Sequence, residues 1–113
     1  MVGLSVSPPF DLLEAICEKL KRDNNLDYKP ANIITSTGAK QSIANAVFAL
    51  VNDGEEVILP APYWVSYKEM VTYAGGTPIL LKAGIEKNFK PSAAELDAAI
   101  NENTKLIIFS SPC

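Results

Sequence analysis

The chain has 113 residues, 48% of them hydrophobic, and a formal net charge of −3. That length suits one domain, and the composition supports a buried core while arguing against wholesale disorder. No block of basic residues occurs, which disfavours a nucleic-acid or membrane-surface partner. Histidine is absent altogether, which removes His-based triads, metal sites and general bases. Cys17 and Cys113 form neither a CxxC nor a metal spacing. Cys17 is expected to be a buried thiol, and the pattern points to a reducing, cytoplasmic compartment. The opening MVGLSVSPPF is too short and proline-broken for a signal peptide. No apolar run approaches the roughly 20 residues of a membrane span.

In chain order, residues 1–10 read as irregular, with Pro8 and Pro9 adjacent, and residues 11–113 as the folded domain. Asp11 is placed to cap a helix over LLEAICEKLKRD, whose Leu12, Leu13, Ile16, Cys17 and Leu20 share one face. NIITS predicts a first strand, followed by a turn at Thr37 and Gly38 and a helix from Ala39 to Val51. The apolar residues of that helix are dense enough to predict burial on more than one side. After the turn NDGEE, VILP predicts a strand buried on both faces of a parallel sheet. A helix then runs to Gly75-Gly76, and TPILLK predicts a third strand. Ser92 and Glu95 form a capping box before AAELDAAI, and KLIIFSS predicts the fourth strand. The alternation implies an α/β fold of three layers, with four mainly parallel strands joined by right-handed crossovers.

Two stretches bear chemistry. In STGAKQS, Gly38 and Ala39 bring the backbone close to any ligand, and the unpaired N–H groups and dipole of the next helix favour a phosphate. The spacing is neither GxxxxGK[ST] nor GxGxxG, so tight helix packing explains the small residues equally well. In PAPYWVSY, Pro60 and Pro62 fix the path at the C-terminal end of a buried strand, where α/β sheets hold ligands. Trp64 offers an aromatic face to a planar ring, or covers the core. Lys40 follows the turn and can help to hold an anion, or stand as an ordinary solvated lysine. Glu55 and Glu56 are adjacent and face opposite ways in extended chain, so they form no acid/base pair.

Taken together, NIITSTGAKQSIANAVFALVNDGEEVILPAPYWVSYKEMVTYAGGTPILL and the later TKLIIFSSP resemble the large domain of the class I aminotransferases, fold-type I pyridoxal-phosphate enzymes. The pattern is most similar to that of bacterial aspartate aminotransferases, and it covers about residues 26–113. The resemblance implies pyridoxal 5'-phosphate as cofactor, an amino acid and a 2-oxo acid as substrates, and a homodimer. It implies that Gly38, Ala39 and Lys40 lie at the turn holding the cofactor phosphate, and that Trp64 stacks on the pyridine ring.

Departures matter as much. No residue here matches the family's Schiff-base lysine, the aspartate at the ring nitrogen or the arginine for the substrate carboxylate. SVSPPFDLL stands where a tyrosine-containing segment is expected. The resemblance therefore implies part of an aminotransferase that contributes no catalytic residue and is inactive by itself, with weak or absent cofactor binding. The alternatives are a non-enzymatic α/β module that binds a phosphate ligand or a protein, and a folded segment without a ligand. In the complete family sheet, later strands separate NIITS from the other three. Here the strands either close up in the order first, fourth, second, third, as in half of a doubly wound, flavodoxin-like sheet, or pair edge to edge between chains.

Overall fold

The computed structural model describes residues 8–110. These belong to two compact units, one up to Ser42 and the other from Ile43 onward.

In the first unit, Pro9 enters with ψ 141° and accepts from the Leu12 and Leu13 N–H groups, so helix α1 (Phe10–Asn24) begins directly after it. Asp11 therefore lies inside the first turn and makes no side-chain cap, contrary to the sequence expectation. There its charge still suits the positive helix end, as Lys21 and Arg22 suit the negative one. Asn25, at φ 53°, closes the helix in the left-handed conformation. Leu13, Ile16, Cys17 and Leu20 form the inner stripe, but only half-buried, and Leu12 lies off it. Cys17 is thus not the buried thiol that its pattern suggests.

A short 3-10 turn (Pro30–Asn32) follows. Residues 32–36, expected as the first strand, join no ladder among the described residues, and Asn32 belongs to the 3-10 turn. Ile34 is 88% exposed. An extended apolar segment becomes a strand only where a neighbour completes its hydrogen bonds, and none of the described residues does so here.

Helix α2 (Ala39–Leu50) crosses from one unit into the other. Within the second unit, Ile43, Val47 and Val51 recur at helical spacing and pack into the core. Val47 is the only α2 residue that is buried, while Phe48 and Leu50 are each 47% exposed. The expected burial on several sides is corrected to one stripe, because among the described residues only that stripe meets the core cluster.

Strand β1 (Glu56–Ala61) is the centre of the sheet. Val57, Ile58 and Leu59 have no exposed surface, as the all-apolar run predicts. Val57 and Leu59 pack with Val47, Val51, Tyr67 and Val71, and Ile58 alternates to the opposite face. Helix α3 (Ser66–Tyr73) leads back to strand β2 (Thr77–Lys82), parallel to β1 with Ile58 opposite Ile79. The return is tight: a Cβ on Gly76 would stand 2.6 Å from Val51 Cγ1.

Helix α4 (Ala93–Ala99) starts at the expected capping box. The Glu95 N–H donates to Ser92 Oγ at 3.2 Å, and the Ser92 N–H donates to Glu95 Oε2 at 2.8 Å. Lys87 pairs with the same carboxylate, and these donors, Lys87 foremost, lower its pKa to about 2. Strand β3 (Thr104–Ile107) completes the sheet in the order β2-β1-β3, all parallel. The α/β class and parallel pairing stand, while among the described residues the sheet has three strands rather than four, and the expected pairing of the first strand beside the fourth is not formed.

Candidate functional site

The first predicted site element is a formed turn at the start of α2. The Gly38 N–H donates to the Ser36 carbonyl at 2.8 Å, and the Gly38 carbonyl accepts from the Ser42 N–H at 3.4 Å. The Thr37 N–H donates to Gln41 Oε1 at 2.6 Å, so the first turn of the helix ties back the segment that enters it. Gly38 has φ 86°, a left-handed conformation in which a side chain is strained. Its two chain neighbours aside, no atom of the described residues lies within 4 Å of where its Cβ would stand. Gly38, Ala39 and Lys40 are all exposed. An open glycine before a helix N-terminus leaves room for an anion against backbone donors. The turn therefore fits a phosphate group.

The second element follows β1 in the other unit. Pro60, Ala61 and Pro62 carry the chain off the C-terminal end of β1, and the Ala61-Pro62 peptide bond is cis. Trp64 stands on the turn before α3 with 38% of its surface exposed. The Trp64 carbonyl accepts from the Tyr67 N–H at 2.9 Å. The Trp64 and Tyr67 rings meet edge to face, with centroids 5.5 Å apart and planes at 90°. Tyr67 is buried, and its hydroxyl lies 2.8 Å from Ser110 Oγ. Beside them, Pro60, Pro62, Phe89, Leu96, Ile107 and Phe109 line an apolar groove of about 700 Å³ at the carboxyl end of the strands.

Gly38, Ala39 and Lys40 belong to the first unit and Trp64 to the second, so each element stands within its own unit. Sequence reasoning did not single out Tyr67 or Ser110. Tyr67 falls in the apolar pattern of α3, and its partner is 43 residues away. A tyrosine rather than a phenylalanine at a buried helix position was the available signal, since a buried hydroxyl needs a hydrogen-bond partner. The acidic residues do not converge on a site. Glu55 accepts from the Asn52 N–H at 2.8 Å, which holds its carboxyl below the usual range, and Glu56 accepts from Asn101 Nδ2 at 2.7 Å. Among the described residues, no helix is long and apolar enough to cross a membrane.

The family profile of aminotransferase class I and II matches residues 4–113, so the chain belongs to that family. It is 53% identical over 102 residues to an aspartate/prephenate aminotransferase from Cereibacter sphaeroides, covering 90% of this chain and 26% of that protein. Against an aspartate aminotransferase from Bacillus sp. the identity is 48% over 101 residues, covering 89% of this chain and 26% of the relative. Its structure is similar to that of the aspartate aminotransferase from Rhizobium meliloti, with a TM-score of 0.87 and 40% identity. That likeness covers 94% of this chain and 26% of the other. A Thermus thermophilus aspartate aminotransferase mutant gives a TM-score of 0.88 at 37% identity, covering 95% of this chain and 29% of the other. The chain thus spans about a quarter of the length of these relatives, and its fold is that of part of the aminotransferase large domain. Class I aminotransferases work with pyridoxal 5'-phosphate.

Proposed function

We propose that this chain contributes the phosphate-holding turn and the ring-stacking tryptophan of an aminotransferase, with residues 11–113 forming part of its large domain. The reaction is amino-group transfer between an amino acid such as aspartate and a 2-oxo acid, in the cytoplasm and in a dimeric enzyme. One observation carries the reading. Gly38, left-handed and with open space at its side-chain position, leads straight into the N-terminus of α2.

When bound, pyridoxal phosphate supplies an electron sink for the substrate's α-carbon. The chain's own residues bind and orient. Backbone N–H groups at Ala39 and Lys40 would hold the phosphate with the positive end of the helix dipole, Gly38 would leave it room, and the Lys40 ammonium would add charge. The Trp64 indole would stack on the pyridine ring and orient it. None of these groups moves a proton, and no residue in the chain matches the family lysine that does. The isolated chain is therefore expected not to transaminate.

Titration of the chain with pyridoxal phosphate tests the reading. Weak, saturable quenching of Trp64 with a shift in the cofactor spectrum is expected, and Gly38→Val should abolish it. Unchanged fluorescence and spectrum would sink the proposal. So would keto-acid production above that of the free cofactor, for the statement that the chain alone is inactive.

A further inference from the structure

We infer that Tyr67 and Ser110 form a positioning pair that holds the Trp64 indole in one orientation. This rests on the reading that Trp64 stacks on the cofactor, and it adds what aims the ring.

An indole on a surface turn has two side-chain torsions to explore, and at 38% exposure its surroundings do not enclose it. Tyr67 bears on it directly: its ring meets the indole at 90° with centroids 5.5 Å apart, while its backbone N–H, donating to the Trp64 carbonyl at 2.9 Å, fixes the main chain of the turn. The tyrosine itself is anchored at both ends. Its ring lies in the core cluster with Val47, Leu59 and Val71, and its hydroxyl reaches Ser110 Oγ at 2.8 Å.

Ser110 comes just beyond β3, after the Ile108 N–H donates to the Ile58 carbonyl at 3.0 Å. The hydroxyl pair therefore ties the start of α3 to the exit of β3 across 43 residues. A phenylalanine at position 67 would fill the same core volume without that tie. The hydroxyl pins the far end of the ring axis against tilting, and a ring held at both ends keeps its edge-to-face contact with Trp64.

Trp64 is the single tryptophan, so its fluorescence in the 113-residue chain reports the indole directly. Tyr67→Phe and Ser110→Ala should each raise acrylamide quenching of Trp64 about 1.5-fold and lower its anisotropy. The far-UV circular dichroism should stay native. Because both variants delete one bond, the double variant should go no further than either single, the mark of a coupled pair. Tyr67→Leu, which also removes the ring, should raise quenching about threefold. Should it fail to fold, the two hydroxyl deletions still decide the question. Unchanged quenching in the folded Tyr67→Phe and Ser110→Ala chains would overturn the inference, as would additive effects in the double variant. A loss of thermal stability without a change at Trp64 would show a core role only, and would overturn it too. Pyridoxal phosphate forms a separate arm. If the unaltered chain binds none, the cofactor reading fails, while the quenching data still judge the pair. If it binds, each hydroxyl deletion should weaken binding about threefold, with unchanged binding counting against a positioning role.

Discussion

Ile33, Ile34 and Thr35 are all β-branched and Val57, Ile58 and Leu59 all aliphatic, so both triplets suit a strand, yet they have opposite fates. The later triplet has no exposed surface and forms the central strand of a parallel sheet. The earlier one sits in the unit up to Ser42, joins no ladder among the described residues, and leaves Ile34 88% exposed. Their difference lies in what stands beside them. β1 has β2 on one edge and β3 on the other, both brought parallel by crossovers that the same unit contains. Hydropathy and propensity decide which segments can be strands, and hydrogen-bonding neighbours decide which ones are.

The largest test of that contrast is truncation in both triplets. Leu59→Ala should cost about 2–5 kcal/mol in urea denaturation, the range for a buried leucine left with a cavity. Ile34→Ala should stay within about 0.5 kcal/mol, as for an ordinary surface position. Equal losses would break the comparison.

Glycines sharpen it next. Gly76→Ala drives a methyl against Val51 and Val71 and should destabilise by about 1–3 kcal/mol. Gly38→Ala meets open space and suffers from its left-handed φ alone, so about 1 kcal/mol is expected. A larger loss at Gly38 than at Gly76 in thermal melts would refute this order.

Ser92→Ala removes an N-cap from α4 and should lower stability by about 1 kcal/mol. Asp11→Ala, at a helix start without a side-chain cap, should do less. Comparable shifts in melting temperature would contradict the cap assignment.

The smallest effect is electrostatic. Lys87 and the Ser92 donors hold Glu95 at a pKa of about 2 against an ordinary 4.5. A depressed carboxylate stabilises the fold fully above its unfolded pKa, and that contribution drains away as pH falls toward the folded value. The stability gap between the unaltered chain and Glu95→Gln should therefore be constant above about pH 5 and close between about pH 5 and 2. The pair is exposed, so the gap should also shrink with added salt. A gap that widens on acidification would reverse the sign and exclude this source.

How much was legible follows the range of each interaction. The Ser92-Glu95 box, the chain reversals at Gly54 and Gly75, and the one-sided stripe of α1 rest on residues within a few positions of one another. Periodicity and turn chemistry therefore carried them. The burial of β1 was legible because an unbroken apolar run leaves no face for water. The turn at Gly38 was legible as a small-residue link between an apolar run and a helix, and the long ordered resemblance carried the family.

Asp11 was misplaced by one local detail, since Pro9 starts the helix two residues early and takes the capping position. The strand at NIITS failed for a non-local reason, because nothing in a segment's own residues states whether a neighbour will complete its ladder. The same reason limits α2: its sequence is apolar on several faces, but only the stripe through Ile43, Val47 and Val51 meets a core. Tyr67 and Ser110 are 43 residues apart, and no spacing rule joins them. The sequence by itself determined the four helices, the three strands that formed, the Ser92 cap, the turns at Gly54 and Gly75, and the family. Only the tertiary structure decided which apolar runs would be buried and which hydroxyl would reach across to steady the tryptophan, because contacts between distant residues exist only once the chain has folded.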